Sequence, residues 1–129
     1  MAKPQFGFDP PQPVTVLASA AHTETSTSQW YDGIPSQYRG VLIVLDVTAA
    51  TTGTVTLTVE TDDGAGIDDA LVGSAITNVG TTMLLLHPSA PTDRANAVEK
   101  TSLLYKWRVE AAKSDATAKT YSIQAYFLP

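Results

Sequence analysis

One segment of the sequence, Asp62–Asp69, gathers residue types that suit metal binding, because four carboxylates there surround two glycines. Hard cations such as Ca²⁺ prefer several oxygen ligands on a flexible loop. The spacing does not follow the EF-hand pattern, and the chain carries no further copies of a glycine-aspartate repeat. We therefore expect a solvated hairpin loop in this segment and no metal site.

The other residue types that carry chemistry are scattered along the chain. His22 and His87 have no second ligand at zinc spacing, and Gly73-Ser74 lacks the flanking glycines of a nucleophile elbow. Cysteine is absent, which excludes disulfides and thiolate sites. We expect no enzymatic activity and no cofactor, although any two of the thirteen acidic residues can still form a glycosidase-type pair in space.

Two adjacent aromatic residues, Trp30 and Tyr31, precede an Asp-Gly turn signal and Pro35. Such a pair has two interpretations. The rings can stack on sugars, as in a carbohydrate-binding module, or one ring can enter the core while the other stays at the surface. We favour the second interpretation and keep both residues as candidate contacts.

The first 13 residues contain four prolines together with Phe6 and Phe8. Proline supplies no backbone donor and favours extended chain, so this segment is predicted to be an arm. It is either a frayed terminus or an arm laid on a neighbouring subunit, with the two phenylalanines as anchors.

The longest apolar run, Tyr38–Thr48, predicts a central strand around which the other strands are arranged. Side chains alternate along a strand, so Val41, Ile43, Leu45 and Val47 share one face, whereas Leu42, Val44 and Asp46 share the other. Both faces are apolar, so we expect a second sheet, a loop or another subunit to cover the second one. Leu42 and Val44 are therefore candidate contact residues.

The following residues continue the β pattern. Thr54–Thr61 alternates strictly and predicts a hairpin with the central strand, with Thr54, Thr56, Thr58 and Glu60 in water. Further predicted strands are Leu71–Thr77 and Thr81–His87 around a turn, then Ser102–Ala112 and Thr120–Leu128. Arg94, in the long polar connection 88–101, and Arg108, on the outer side of a closing strand, are candidate contacts.

These strands predict an all-β fold, an antiparallel β-sandwich of about seven or eight strands with jelly-roll or immunoglobulin-like order. We expect an arm over 1–13 and one sandwich domain over 14–129. The net charge of −5 does not favour nucleic acid or anionic lipid as partners. Without an 18-residue apolar stretch or an apolar leader, the protein is expected to be soluble and not exported.

Tyr38–Thr48, followed by Thr52–Val59 and later by Trp107-Arg108-Val109, resembles a group of small tailed-bacteriophage virion proteins. The resemblance runs from Tyr38 to the end of the chain. It implies a structural role in the virion, of the head decoration (capsid cement) type, and it brings no catalytic residues with it.

We therefore expect a structural protein that binds the assembled capsid as a symmetric oligomer and adds contacts across capsomer boundaries. Its expected partners are the major capsid protein and copies of itself, with no nucleic acid and no membrane. Its expected location is the virion surface after synthesis in the host cytoplasm. The alternatives are a head-tail or tail component and a carbohydrate-binding module that uses Trp30 and Tyr31.

Overall fold

The structure is a computed structural model, and it describes residues 13–50, 52–89, 97–99 and 106–129. Among these residues there is no helix of the length and apolarity that crossing a membrane requires. The described part of the chain forms ten strands: β1 Pro13–His22, β2 Ser26–Thr27, β3 Tyr31–Asp32, β4 Gly40–Ala49, β5 Val55–Asp62, β6 Ile67–Val72, β7 Gly80–Leu86, β8 Ala97–Glu99, β9 Lys106–Lys113 and β10 Lys119–Leu128.

The strands form two sheets that face each other. Sheet A has the order β1-β10-β4-β7-β8, and sheet B has the order β2-β9-β5-β6, with β3 also pairing with β9. All pairings are antiparallel except that of β7 with β8. Along the chain, β1 lies in sheet A, β2 and β3 in sheet B, β4 in sheet A, β5 and β6 in sheet B, β7 and β8 in sheet A, β9 in sheet B and β10 in sheet A. This is the strand order of a jelly roll, which confirms the predicted sandwich and decides between the two predicted topologies.

The core lies between the two inner faces, and the predicted alternation accounts for it. Val41, Ile43, Leu45 and Val47 of β4 are at most 1 % exposed. Val16 of β1 and Leu84 and Leu86 of β7 add to the core from sheet A, and the strands of sheet B and β10 supply further apolar side chains. The buried side chains from these strands are Val55, Leu57, Val59, Trp107, Val109, Ala111, Tyr121, Ile123 and Ala125.

The predicted hairpin between the central strand and Thr54–Thr61 is wrong, because β4 lies in sheet A and β5 in sheet B. Period-two alternation shows which side chains face the core, and it does not show which strand supplies the hydrogen bonds. The outward face of β5 is also not wholly solvated. Thr58 is 6 % exposed, between Glu110 and Val72 in the ladder.

The strand predicted over Leu71–Thr77 lies earlier in the chain: β6 covers Ile67–Val72. After that residue the chain crosses from sheet B to sheet A and keeps one bridge, between Ile76 and Val55. A Cβ atom at Gly73 would lie 3.0 Å from the Leu84 side chain, so glycine permits the close approach at this crossing.

The two ends of the sandwich differ. At the end where β4 finishes, Lys119 is 1 % exposed, and its Nζ donates to the backbone carbonyl of Thr52 and lies 3.4 Å from Asp115 Oδ1. The backbone N–H of Thr117 donates to Asp115, and this bond is the main cause of the lowered pKa of that carboxyl. At the opposite end, which we call the arm end, β1 begins and β10 finishes.

Candidate functional site

An apolar groove opens at the arm end, between the β1–β10 edge of sheet A and the β3–β9 edge of sheet B. Its volume is about 340 Å³. Side chains from both sheets line it, and most of them are apolar. We call this feature the aromatic groove; its principal lining residues are Val14, Tyr31, Ile34, Pro35, Trp107 and Phe127.

Stacked aromatic rings hold the walls of the groove in place. The Tyr31 ring lies on the Trp107 ring with centroids 4.7 Å apart, and Phe127 meets Trp107 edge-on at 6.5 Å. Tyr38 in turn stacks on Phe127 at 5.9 Å. Trp107 Nε1 donates to the carbonyl oxygen of Gly33 at 2.6 Å, so its buried polar atom has a partner. The groove is thus a preformed apolar surface suited to aromatic or aliphatic side chains.

The local sequence explains how the groove forms. Gly33 has a φ of 60°, a left-handed conformation that glycine adopts without a steric penalty, and the turn presents its carbonyl to Trp107. The Asp-Gly signal of the sequence marks this turn. Of the predicted contact residues, the structure places Tyr31 in the groove. Trp107 and Phe127 were missed as site residues, although both lie on strands that were predicted from the sequence.

Trp30 lies on the opposite side of the backbone from Tyr31, as neighbouring residues of an extended chain do. It is half-buried, and the guanidinium carbon of Arg108 lies 4.5 Å from its ring centroid. Tyr31 packs against the core. The two rings therefore do not form a shared platform for a sugar.

Arg108 belongs to a charged surface on the outside of sheet B. Its Nε lies 3.1 Å from Glu60 Oε1, and both side chains are partly shielded from water, with 24 % and 12 % exposure. Burial raises the pKa of the Glu110 carboxyl, the charges of Glu60 and Asp69 raise it further, and Arg108 opposes them. We call this surface the charged face; it comprises Trp30, Glu60, Asp69, Arg108 and Glu110.

Part of the outside of sheet A is apolar by contrast, next to a polar part that includes Asp46 and Thr81. Leu42 lies in register between Tyr126 and Leu85, and Val44 lies between Gln124 and Met83. Leu42 and Val44 are half-buried, whereas Met83 is 36 % exposed. Sheet B covers the other side of β4, so a second sheet does not cover these residues. We call this surface the apolar face; it comprises Leu42, Val44, Met83, Leu85 and Tyr126.

One nucleophile–base pair was not predicted from the sequence. The Ser26 hydroxyl lies 3.0 Å from His22 Nδ1 and accepts a hydrogen bond from Tyr121 Oη at 2.9 Å. The His22 ring stacks on Tyr121 with centroids 4.4 Å apart, and its Nε2 atom is buried without a hydrogen-bond partner. A catalytic histidine needs a group that orients this second nitrogen, so the contacts fit packing against Tyr121 better than catalysis.

The acidic segment spans the turn of the β5–β6 hairpin, as predicted, with Asp62 at the end of β5 and Asp68 and Asp69 in β6. Asp62 Oδ1 accepts from the backbone N–H of Gly64 at 2.9 Å, and Asp63 Oδ1 accepts from Ala65 at the same distance. These carboxylates stabilise the turn itself. Within the described ranges, no group of three or more His, Cys, Asp and Glu side chains is placed to hold a metal ion.

Three predicted contact residues, Phe6, Phe8 and Arg94, lie outside the described residues, and so does the predicted arm up to residue 12. Pro13, which was assigned to the arm, is the first residue of β1. The contact roles of all eight predicted residues stay predictions.

No protein-family model matches the sequence, and no curated protein matches it. Among solved structures, the chain is similar to one described as the Cowpea mosaic virus top component (CPMV-T), naturally occurring empty particles. The similarity covers 92 % of this chain and 85 % of that chain, with 13 % sequence identity and a TM-score of 0.47.

Proposed function

We propose that this protein is a virion structural protein of the capsid decoration type, which binds the assembled head and stabilises it through protein–protein contacts. The observation that carries the proposal is that both sides of β4 present apolar side chains. One side of this strand fills the core, and the other presents Leu42 and Val44 to the outside of the molecule. An apolar strip at the centre of a sheet suits a surface whose role is contact.

The energetic argument follows from area. Taking a Val or Leu side chain from full exposure to full burial contributes about 1.5–3 kcal/mol, so covering the half-buried Leu42 and Val44 supplies only part of that amount for each side chain. A decoration protein that binds the assembled lattice and not free capsomers stabilises the lattice by mass action. At a free protein concentration of 100 times the Kd, each occupied site contributes about 2.7 kcal/mol.

The sequence resemblance to small tailed-bacteriophage virion proteins supports a role in the virion. The residues that carry it form two strands of the sandwich: the run Tyr38–Thr48 forms β4, and the following Thr-Val run forms most of β5. The jelly-roll order is compatible with this role, because the fold occurs in viral capsid proteins. It also occurs in lectins, so the fold alone does not distinguish a capsid-binding protein from a carbohydrate-binding protein.

The carbohydrate-binding alternative depended on Trp30 and Tyr31 acting together. The structure separates them: Arg108 lies over one ring, and Trp107 stacks on the other. This separation favours the contact role over a stacking platform for sugars.

The test uses the phage that encodes the chain. Heads that lack the protein are prepared from a gene deletion, and purified full-length protein is added in increasing amounts. We expect saturable co-sedimentation at a fixed ratio to the major capsid protein and a higher temperature of head rupture. Binding to isolated tails but not to heads would contradict the decoration role in favour of a tail component. Binding to a glycan array and to neither particle would support the sugar-binding alternative.

A further inference from the structure

The aromatic groove has a candidate occupant in the chain itself, and we infer that it receives Phe6 and Phe8 from a second copy of this protein. The described chain begins at Pro13, and Val14 already lines the groove with 39 % of its surface exposed. Twelve further residues precede Pro13. The inference rests on the proposed contact role and deepens it, because it names a partner and the surface that the partner occupies.

The groove and the two phenylalanines match in size and chemistry. A volume of about 340 Å³ is near the lower limit for ligand pockets, and it suits one or two rings better than a folded element. Tyr31, Trp107 and Phe127 offer ring faces and edges that pack well against further aromatic rings. In extended chain, Phe6 and Phe8 point to the same side, separated by about 6–7 Å, so that both rings enter one groove.

Charge gives the arm a preferred direction. Asp32 borders the groove and is exposed, and Asp62 and Asp63 line a neighbouring depression at the same end of the sandwich. Lys106 also lines that depression, so three carboxylates and one ammonium group leave this rim with a net negative charge. Lys3 precedes Phe6 by three residues. An arm seated through its phenylalanines brings this cation towards the acidic rim, which favours one orientation.

The spacer between the phenylalanines and β1 favours a neighbour's groove over the arm's own. Residues 10–13 read Pro-Pro-Gln-Pro, and proline also keeps the residues that precede it out of helical conformation. A sequence of this composition is expected to favour the polyproline II conformation, which extends by about 3.1 Å per residue, so the inference places Phe8 about 15 Å from Pro13. A spacer in that conformation, starting at the rim of its own groove, would not reverse within this length. Reciprocal exchange of arms between copies then gives a closed, symmetric oligomer.

The chain has no cysteine, so two introduced cysteines report on contact between arm and groove without background. Full-length Phe8→Cys protein is mixed with full-length Ile34→Cys protein, oxidised gently, and separated on non-reducing gels. Asn78→Cys, at the opposite end of the sandwich and exposed, replaces Ile34→Cys in the matched control. A double variant that carries both Phe8→Cys and Ile34→Cys is oxidised at high dilution, and it reports whether the disulfide forms within one chain.

We expect the Phe8–Ile34 mixture to give at least ten times more mixed dimer than the Phe8–Asn78 mixture. Light scattering should show an oligomer for the natural sequence, with association weakened at least 100-fold in Phe6→Ala/Phe8→Ala. Equal yields in the two mixtures would overturn the inference, and so would a closed monomer of the double variant as the main product. No capsid is present in these assays, so their failure leaves head binding to be judged by its own experiment.

Discussion

The two outer faces of the sandwich differ in chemistry although both are built from antiparallel strands. The apolar face on sheet A places Leu42 and Val44 beside Met83 and Tyr126, with few charges near them. On sheet B, the charged face carries the Arg108–Glu60 pair, with Glu110 next to it. A solvated sheet normally shows polar residues on its outside, and the charged face follows that rule.

The difference separates a face whose chemistry suits the proposed contact from a face that suits water. On sheet B, Arg108 is already engaged within the molecule: it pairs with Glu60 and lies over Trp30. In the proposed contact, covering the half-buried side chains of Leu42 and Val44 would remove apolar surface from water. Substitutions on the two faces should therefore separate binding from stability.

The largest expected effect comes from a charge on the apolar face. Val44→Asp places a carboxylate between Gln124 and Met83, at a position that the proposed contact removes from water. Because Val44 is only half-buried in the isolated domain, we expect the free energy of unfolding, measured with urea, to change by about 1 kcal/mol. Head binding, measured by co-sedimentation, should weaken about 100-fold, equivalent to about 2.7 kcal/mol.

Thr56→Asp is the matched control for this variant, because Thr56 is a half-buried strand residue that faces outward from sheet B. It should bind heads as the natural protein does. Equal losses for the two variants would show that the faces do not differ in binding, and normal head binding by Val44→Asp would show that its face stays in water.

An intermediate effect is expected on the charged face. Arg108→Ala leaves the Glu60 carboxylate, which is 12 % exposed, without its partner and removes the cation over Trp30. We expect a loss of about 1–2 kcal/mol in the free energy of unfolding, smaller at high salt, and unchanged head binding. Arg108→Lys keeps the charge but not the planar stack, so it should recover part of the loss. Weakened head binding in Arg108→Ala at full stability would place the charged face in the contact as well.

The sequence predicted the local features of these surfaces well. Alternation along β4 identified both the core residues and the outward Leu42 and Val44, and the Asp-Gly signal identified the turn at Gly33. These features depend on neighbours in sequence, through strand periodicity and turn chemistry.

The longer-range features were not available from the sequence. The sheet in which each strand lies depends on contacts between distant residues, so the β4–β5 hairpin was wrong and the jelly-roll order was left open. The aromatic groove combines Tyr31, Trp107 and Phe127 from three separate strands. The burial of Thr58 and the Ser26–His22 pair likewise depend on neighbours that come from other parts of the chain.

The smallest expected effect tests the electrostatics of the charged face. The pKa of Glu110 is raised above its ordinary value of 4.5, chiefly by burial and then by Glu60 and Asp69. The folded state therefore favours the protonated carboxyl. The cost of ionisation is absent below pH 4.5, and stability falls as pH rises from there through the folded pKa.

Glu110→Gln removes that cost, since the amide has similar shape and no charge. We expect the variant to be more stable than the natural protein by about 0.5 kcal/mol at pH 7, because solvent screens a partly exposed group, and equally stable at pH 3.5. Urea unfolding of both proteins across pH 3.5–8 measures the difference. A variant that is destabilised at pH 7 would mean that the Glu110 carboxylate is held by Arg108 more strongly than burial opposes it. The charged face would then be a stabilising ion network, which would sharpen its contrast with the apolar face.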